Sequence, residues 1–151
     1  MPVMPDRLRT HLAKTKLVVL PEDYFVISLR PDAKPLGAEW YRAATTRFAL
    51  FMREAKQITL VVPRRKWLRM QNLFSPREVS GPMKILAFDA ALSRDICGYM
   101  AAIGSVLMKA QLCAVPIFPS ARDHILVDKK DLPRTVKVLR KFIEDCKKKK
   151  I

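Results

Sequence analysis

The chain has 151 residues, half of them hydrophobic, and a formal net charge of +15. This length allows one domain, or two small units that share a core. No apolar run approaches the roughly 18 residues of a membrane-spanning helix, and three cysteines without a C-x-x-C pair exclude a disulfide framework and a zinc site. A cytoplasmic location is therefore expected, or a nuclear one if the source is eukaryotic.

The first half of the chain begins with residues 1–16, whose charges and weak periodicity predict a basic amino-terminal arm, extended or weakly helical, rather than a secretory signal. Short apolar runs predict strands at 17–20 and 24–29, and a hairpin within 48–62. We therefore expect a small, strand-rich half over residues 17–63.

Residues 64–83 form the longest stretch without a clear strand and are expected to be a linker. A short helix is predicted at 64–72, while Ser75-Pro76 and Ser80-Gly81-Pro82 are typical of chain breaks. The linker separates two halves of similar size, which suggests an ancient duplication without a visible residue-level repeat.

The second half, residues 84–146, has the predicted order strand, helix, strand, strand, helix. Apolar residues spaced i, i+3, i+4, i+7 indicate the helices, and short apolar runs bounded by polar residues indicate the strands. The predicted strands are 84–88, 112–118 and 123–127, and the predicted helices are 96–111 and 132–147. This order predicts an α+β unit in which two helices cover one face of an antiparallel sheet. A basic tail, 147–151, follows it.

Several segments resemble the ACT-domain proteins related to the CASTOR arginine sensors. In the second half they are Phe88-Asp89-Ala90-Ala91-Leu92, Gly98, Leu107 to Leu112, and Asp123-His124-Ile125-Leu126-Val127 followed by Asp131-Leu132. In the first half they are 17–21, 24–29, Trp40 and 58–63. The resemblance implies a ferredoxin-like α+β fold, with an ACT-like unit at 84–146 and a degenerate ACT-like half at 17–63.

The chain departs from this family in both segments that form the family's ligand site. Where small bacterial members have Asp-Phe-Ser-Leu-Thr-Gly, this chain has Ser93-Arg94-Asp95-Ile96-Cys97-Gly98. Where they have Ser-Thr-Tyr-x-Thr-Asp, it has Phe118-Pro119-Ser120-Ala121-Arg122-Asp123. Only the glycine and the final aspartate are retained.

The resemblance implies a non-catalytic regulatory or sensing module that binds a free amino acid or a related small metabolite, without a cofactor. Backbone N–H groups at the helix start would hold the ligand's carboxylate, as a helix amino terminus favours anions. Asp123 would face the ligand's ammonium, unless it merely satisfies a turn. An adjoining ACT unit implies a homodimer or a regulated protein partner. The expected ligand-binding residues are Ser93, Arg94, Asp95, Ile96, Cys97, Gly98, Phe118, Ser120, Arg122 and Asp123.

Two arginines stand in the altered segments. If Arg94 and Arg122 face the ligand, their charge should favour acidic ligands through charge-assisted hydrogen bonds. If Arg94 points to solvent and Arg122 pairs with Asp123, the carboxylate meant for the ammonium is neutralised and binding is lost. The sequence allows both arrangements.

The chain offers little for catalysis or for metal binding. It has two histidines, four glycines and none of the phosphate-loop, H-E-x-x-H or G-x-S-x-G motifs. Strand alternation places His124 opposite Asp123, which argues against a catalytic dyad. The cysteines are expected to be small buried hydrophobes: Cys97, Cys113 and Cys146. We predict neither an enzyme nor a metal site.

The charge supports a second hypothesis, in which a basic protein contacts nucleic acid or another polyanion. The basic residues are concentrated in two runs, Arg64, Arg65, Lys66 and Arg69, and Lys147, Lys148, Lys149 and Lys150. Such contacts would be non-specific and salt-dependent, because no stacking platform or groove-reading helix is predicted.

A third hypothesis is a protein-interaction domain whose ligand site has decayed. No membrane partner is expected.

Overall fold

The computed structural model describes residues 3–33, 45–90, 96–117 and 122–148 of the chain. In chain order its elements are α1 (Asp6–Lys14), β1 (Lys16–Val19), β2 (Tyr24–Leu29), β3 (Leu50–Arg53), β4 (Ile58–Pro63), α2 (Arg64–Met70), β5 (Glu78–Asp89), α3 (Tyr99–Lys109), β6 (Val115–Ile117), β7 (Asp123–Asp128) and α4 (Leu132–Lys148). Short 3₁₀ turns follow α2 and β7. Within the four described stretches, no helix is both long and apolar enough to cross a membrane.

The chain divides into two compact units. The split unit comprises Met1–Val19 and Ile85–Ile151, and the central unit comprises Leu20–Lys84. Strand β5 contributes its first part to the central unit and its last five residues to the split unit. Each unit has a hydrophobic core of its own.

In the split unit, β5 pairs with β1 and β7, and β7 pairs with β6. Alternate residues of β5, Leu86 and Phe88, point into the core together with Ile125 and Val127 of β7. Helix α4 packs against both α1 and α3 over this core. The helices therefore cover one face of the sheet, and the predicted ferredoxin-like α+β fold is confirmed.

Both predicted long helices are present, and their observed bounds agree with the prediction to different degrees. Helix α4 ends within one residue of its prediction, because its buried residues continue the helical spacing to Cys146. Helix α3 is shorter than the predicted 96–111. Gly98 before it has φ 85° and Gln111 after it has φ 56°, and such left-handed residues do not continue a right-handed helix. Strand β6 likewise begins later than predicted, at Val115.

Residues 6–14 of the predicted arm at 1–16 form helix α1, so the helical one of its two expected forms is present. Its apolar side of Leu8, Leu12 and Ala13 is buried in the core of the split unit. Strand β1 follows directly and pairs antiparallel with β5, from Lys16 opposite Asp89 to Val19 opposite Leu86. The amino-terminal segment is thus part of the split unit's scaffold.

The central unit has the strand order β3-β4-β2-β5. The predicted hairpin is confirmed by the antiparallel pairing of β3 with β4. Helix α2 places Trp67 in the core, where the indole stacks on Phe74 with ring centroids 6.3 Å apart. Trp67 is therefore a packing residue, while Trp40 lies outside the described residues.

The short helix predicted at 64–72 is present as α2, but the expectation that residues 64–83 lack a strand is wrong, because β5 begins at Glu78. Glycine and proline at Ser80-Gly81-Pro82 are typical of turns, yet here they lie within the strand. Gly81 is required by a close approach, since a Cβ there would lie 2.4 Å from Cδ1 of Phe25 and 2.8 Å from the carbonyl oxygen of Tyr24. The β2–β5 register shifts at the same place.

Candidate functional site

The start of helix α3 forms one side of the candidate site in the split unit. Gly98 is the N-cap residue, with φ 85° and ψ 4°, and it makes no side-chain capping bond. A Cβ on Gly98 would lie 3.5 Å from Cδ2 of Leu8, an ordinary contact, so the left-handed backbone rather than crowding favours glycine. The first turn contains no acidic residue. Its backbone N–H groups and the helix dipole therefore favour an anion.

Tyr99, the first residue of α3, is held in place by an aromatic contact and a buried hydrogen bond. It is 4% exposed, and its ring meets that of Phe88 edge to face with centroids 6.2 Å apart. Its hydroxyl lies 2.6 Å from Oγ1 of Thr15, which donates its own hydrogen to the carbonyl of His11. Tyr99 is therefore the donor to Thr15. Burial raises the pKa of Tyr99 to about 12, so the phenol stays protonated.

Asp123, the first residue of β7, forms the other side of the site. Strand alternation places it on the same face as Ile125, which packs in the helix-covered core. Burial raises the pKa of the Asp123 carboxyl above its ordinary value, and the neighbouring His124 opposes this shift. Tyr99 and Ile125 belong to the same hydrophobic core, and the Asp123 charge contributes to the raised pKa of Tyr99, so Asp123 lies on the side of the sheet that α3 covers.

Among the described residues, no hydrogen bond or ion pair reaches the Asp123 carboxylate. Arg122 is exposed and does not form an ion pair with it; instead the Arg122 carbonyl accepts a hydrogen bond from Nδ1 of His124 at 3.0 Å. The arrangement in which Arg122 neutralises Asp123 is therefore not formed. A partly desolvated carboxylate without a cationic partner is the feature that a bound ammonium would satisfy.

Five of the ten predicted site residues lie within the described part of the chain. They are Ile96, Cys97, Gly98, Arg122 and Asp123, whereas Ser93, Arg94, Asp95, Phe118 and Ser120 lie outside it. Ile96 packs against the core of the split unit, and Cys97 is exposed. Sequence reasoning missed Tyr99 and Thr15, because the first counted only as an apolar helix position and the second lay in the supposed arm.

The cysteines differ in exposure, contrary to the prediction that all three are buried. Cys146 is buried, but Cys97 and Cys113 are exposed. The physical reason is their position, because Cys97 precedes α3 and Cys113 follows it, and neither belongs to the buried helical repeat. Within the described stretches, no cluster of three or more His, Cys, Asp or Glu side chains could hold a metal ion.

The two basic runs lie in different units, at α2 in the central unit and at the end of α4 in the split unit. Glu22 forms an ion pair with Arg65, and Glu144 forms one with Lys147 at 2.5 Å. Lys66 donates to the Thr45 hydroxyl at 3.3 Å. Lys149 and Lys150 lie outside the described residues. Part of the positive charge in each run is thus already matched within the chain.

Neither a protein-family model nor a curated protein matches the sequence. Solved structures do match the fold. A Vibrio cholerae protein of unknown function, described as a possible transport protein, has a TM-score of 0.72 and 19% identity, with 91% of this chain and 97% of that chain covered. An Agrobacterium tumefaciens protein has a TM-score of 0.68 and 19% identity, with 84% and 87% covered. The ligand-free regulatory subunit of aspartate kinase from Thermus thermophilus has a TM-score of 0.57 and 8% identity, with 83% and 95% covered. The chain therefore shares its fold with these proteins, one of which is a regulatory subunit of aspartate kinase.

Proposed function

We propose that the split unit is a non-catalytic, ACT-type regulatory module that binds a free α-amino acid. The observation that carries this proposal is that Asp123 begins β7 on the face that α3 covers, where Ile125 of β7 and Tyr99, the first residue of α3, share one core. An α-amino acid carries an ammonium and a carboxylate on one carbon. Asp123 would hold the ammonium, and the backbone N–H groups of the first turn of α3 would hold the carboxylate.

The energetics favour this zwitterionic ligand over a simple anion or cation. Burial removes water from the Asp123 carboxylate and raises its pKa. Among the described residues, none forms an ion pair with this carboxylate. An incoming ammonium would recover that cost, and a charge-assisted hydrogen bond of this kind contributes about 1.5–3 kcal/mol. A ligand that lacks either charged group would lose one of the two interactions.

The regulatory part of the proposal is supported by the fold, which the regulatory subunit of an aspartate kinase shares. In the CASTOR-related proteins that the sequence resembles, the ligand lies between adjoining ACT units. We propose the same arrangement here, with a second copy of this chain or a regulated protein completing the site. Binding would then be read out as a change in that association.

The proposal is tested by a thermal-shift screen of the twenty amino acids at low and high salt. One amino acid, or a few of similar shape, should raise the melting temperature, while the corresponding 2-keto acid and the corresponding decarboxylated amine should not. A folded protein that responds to none of the twenty contradicts the proposal. Stabilisation by an oligonucleotide at low salt alone would favour the polyanion hypothesis instead.

A further inference from the structure

An apolar cleft of about 760 Å³ runs along helix α3 in the split unit. One wall is a face of the helix that includes Met100, Ile103, Gly104 and Met108. The opposite wall includes Cys113 and Pro116. Binding sites for small organic molecules have volumes of about 300–1,000 Å³ and mostly apolar linings. The cleft has the size and the chemistry of such a site.

Gly104 lines the cleft without a side chain of its own. A glycine inside a helix costs about 1 kcal/mol relative to alanine. Among the described residues, nothing lies within 4 Å of the position that a Cβ would occupy on Gly104, so no contact with them requires a glycine there. The missing side chain instead leaves room for a molecule to approach the helix backbone.

The cleft adjoins the proposed amino-acid site. Met100, the second residue of α3, lies at one end of it, next to the helix start that Gly98 caps. Ile125 also lines the cleft and lies two positions from Asp123 on the same face of β7, about 7 Å along the strand. A ligand held by its α-ammonium at Asp123 therefore has the cleft within reach of its side chain.

The lining of the cleft selects for chemistry as well as for size. Gln111 and Cys113 are the polar side chains among its described residues, and no charged residue is found there. A carboxylate or an ammonium entering the cleft would lose its water without a partner of opposite charge, which is unfavourable. A large apolar side chain would instead gain from its removal from water.

We infer that the cleft is the side-chain pocket of the ligand site, and that the ligand is an α-amino acid with a large apolar side chain, of the leucine, methionine or phenylalanine type. This inference rests on the proposed function for the position of the ligand's charged groups. It replaces the acidic preference that Arg94 and Arg122 suggested. Such ligands should bind roughly tenfold to a hundredfold more tightly than glycine, because they bury a side chain that glycine lacks.

Chemical labelling of the two exposed cysteines can probe the two ends of the proposed ligand site. Cys97 lies next to the cap of α3, and Cys113 lines the cleft. The full-length protein is treated with a maleimide, with and without leucine, methionine, phenylalanine, glycine or aspartate, and labelling at each cysteine is quantified by mass spectrometry. The large apolar amino acids should slow labelling of Cys113, whereas glycine and aspartate should leave it unchanged.

A cleft-filling variant provides the second measurement. Gly104→Leu should weaken binding of the large apolar amino acids at least tenfold in calorimetry and leave glycine binding unchanged. Ala101→Leu places a leucine side chain on the exposed side of α3, outside the cleft, and serves as the matched control. Asp123→Asn should weaken all amino acids alike, so loss of the proposed function and loss of the pocket give different patterns.

Three results would overturn the inference. The first is tight binding of leucine with no protection of Cys113 and no effect of Gly104→Leu, which leaves the amino-acid site standing without the pocket. The second is equal binding of aspartate and leucine. The third is protection of Cys113 that increases with protein concentration in the absence of any amino acid, since that assigns the cleft to contact with a second copy.

Discussion

The hydroxyl of Thr15 lies 2.6 Å from the hydroxyl of Tyr99, and the bond between them is buried. It joins the residue between α1 and β1 to the first residue of α3, which is 84 positions away in the sequence. The amino-terminal segment therefore helps to fix the helix start at which the proposed ligand's carboxylate binds.

This bond predicts an asymmetric pair of mutants. Thr15→Val should destabilise the protein by about 1–3 kcal/mol, because it leaves the buried Tyr99 hydroxyl without its acceptor. Tyr99→Phe should cost only about 1 kcal/mol, since Thr15 keeps its bond to the carbonyl of His11. Urea unfolding of both variants and of the double mutant measures the coupling. Equal costs with no coupling would contradict the assigned donor and acceptor.

The two glycines of the α3 region should respond to alanine in opposite directions. Gly98→Ala should lower the free energy of unfolding by about 1–2 kcal/mol, because an alanine is strained at φ 85°. Gly104→Ala should raise it by about 0.5–1 kcal/mol, since the added methyl group enters open space in a helix. Chemical denaturation compares the two, and a stabilising Gly98→Ala would show that the left-handed cap does not form.

Lys84 is predicted to be a stabilising residue of the central unit. Its ammonium donates hydrogen bonds to the carbonyls of Pro21 and Glu22 at 3.0 and 3.1 Å and to Oδ1 of Asp23 at 3.2 Å. Lys84→Met should destabilise the protein by about 2–4 kcal/mol, because it leaves these largely buried acceptors without their hydrogen-bond donor. Lys56→Met removes an exposed lysine and should change stability by less than about 0.5 kcal/mol.

Acidification should destabilise the protein through His124. Burial lowers the pKa of His124 below its ordinary 6.5, with the Arg122 charge acting in the same direction and Asp123 and the Arg122 carbonyl opposing it. Neutral His124 therefore contributes stability that is fully present above about pH 6.5 and is lost as the pH falls towards the lowered pKa. Unfolding free energies measured from pH 8 to pH 5 should decline, and His124→Gln should reduce that decline. An unchanged slope in the variant would assign the effect to other groups.

The long helices and the hairpin were predictable because their signals are local. Helix α4 repeats its buried positions over 17 residues, and the β3–β4 hairpin has clear apolar runs. Helix α1 was expected only as one of two forms of the arm, because its nine residues hold only three buried positions among charged neighbours. The start of β5 was missed because Gly81 and Pro82 are typical of turns, and only the contact with Phe25 explains the glycine.

The candidate site was predictable only in part. The resemblance pointed to Gly98 and Asp123, which lie at the N-cap of α3 and at the start of β7, and their contact with a ligand stays a prediction. The Thr15–Tyr99 bond and the cleft join residues that are distant in sequence, so no local pattern indicates them. The exposure of Cys113 likewise follows from the end of α3 at Lys109, which the helical periodicity placed too late.

The most direct test of the account is the dissociation constant of the amino acid selected by the screen, measured by calorimetry on three proteins. In Asp123→Asn the affinity should fall about tenfold to a hundredfold relative to wild type, because the ammonium loses its charged partner. The matched control, Glu144→Gln, changes an exposed carboxylate on α4 and should bind as wild type does. Equal affinities in wild type and Asp123→Asn would contradict the proposed site.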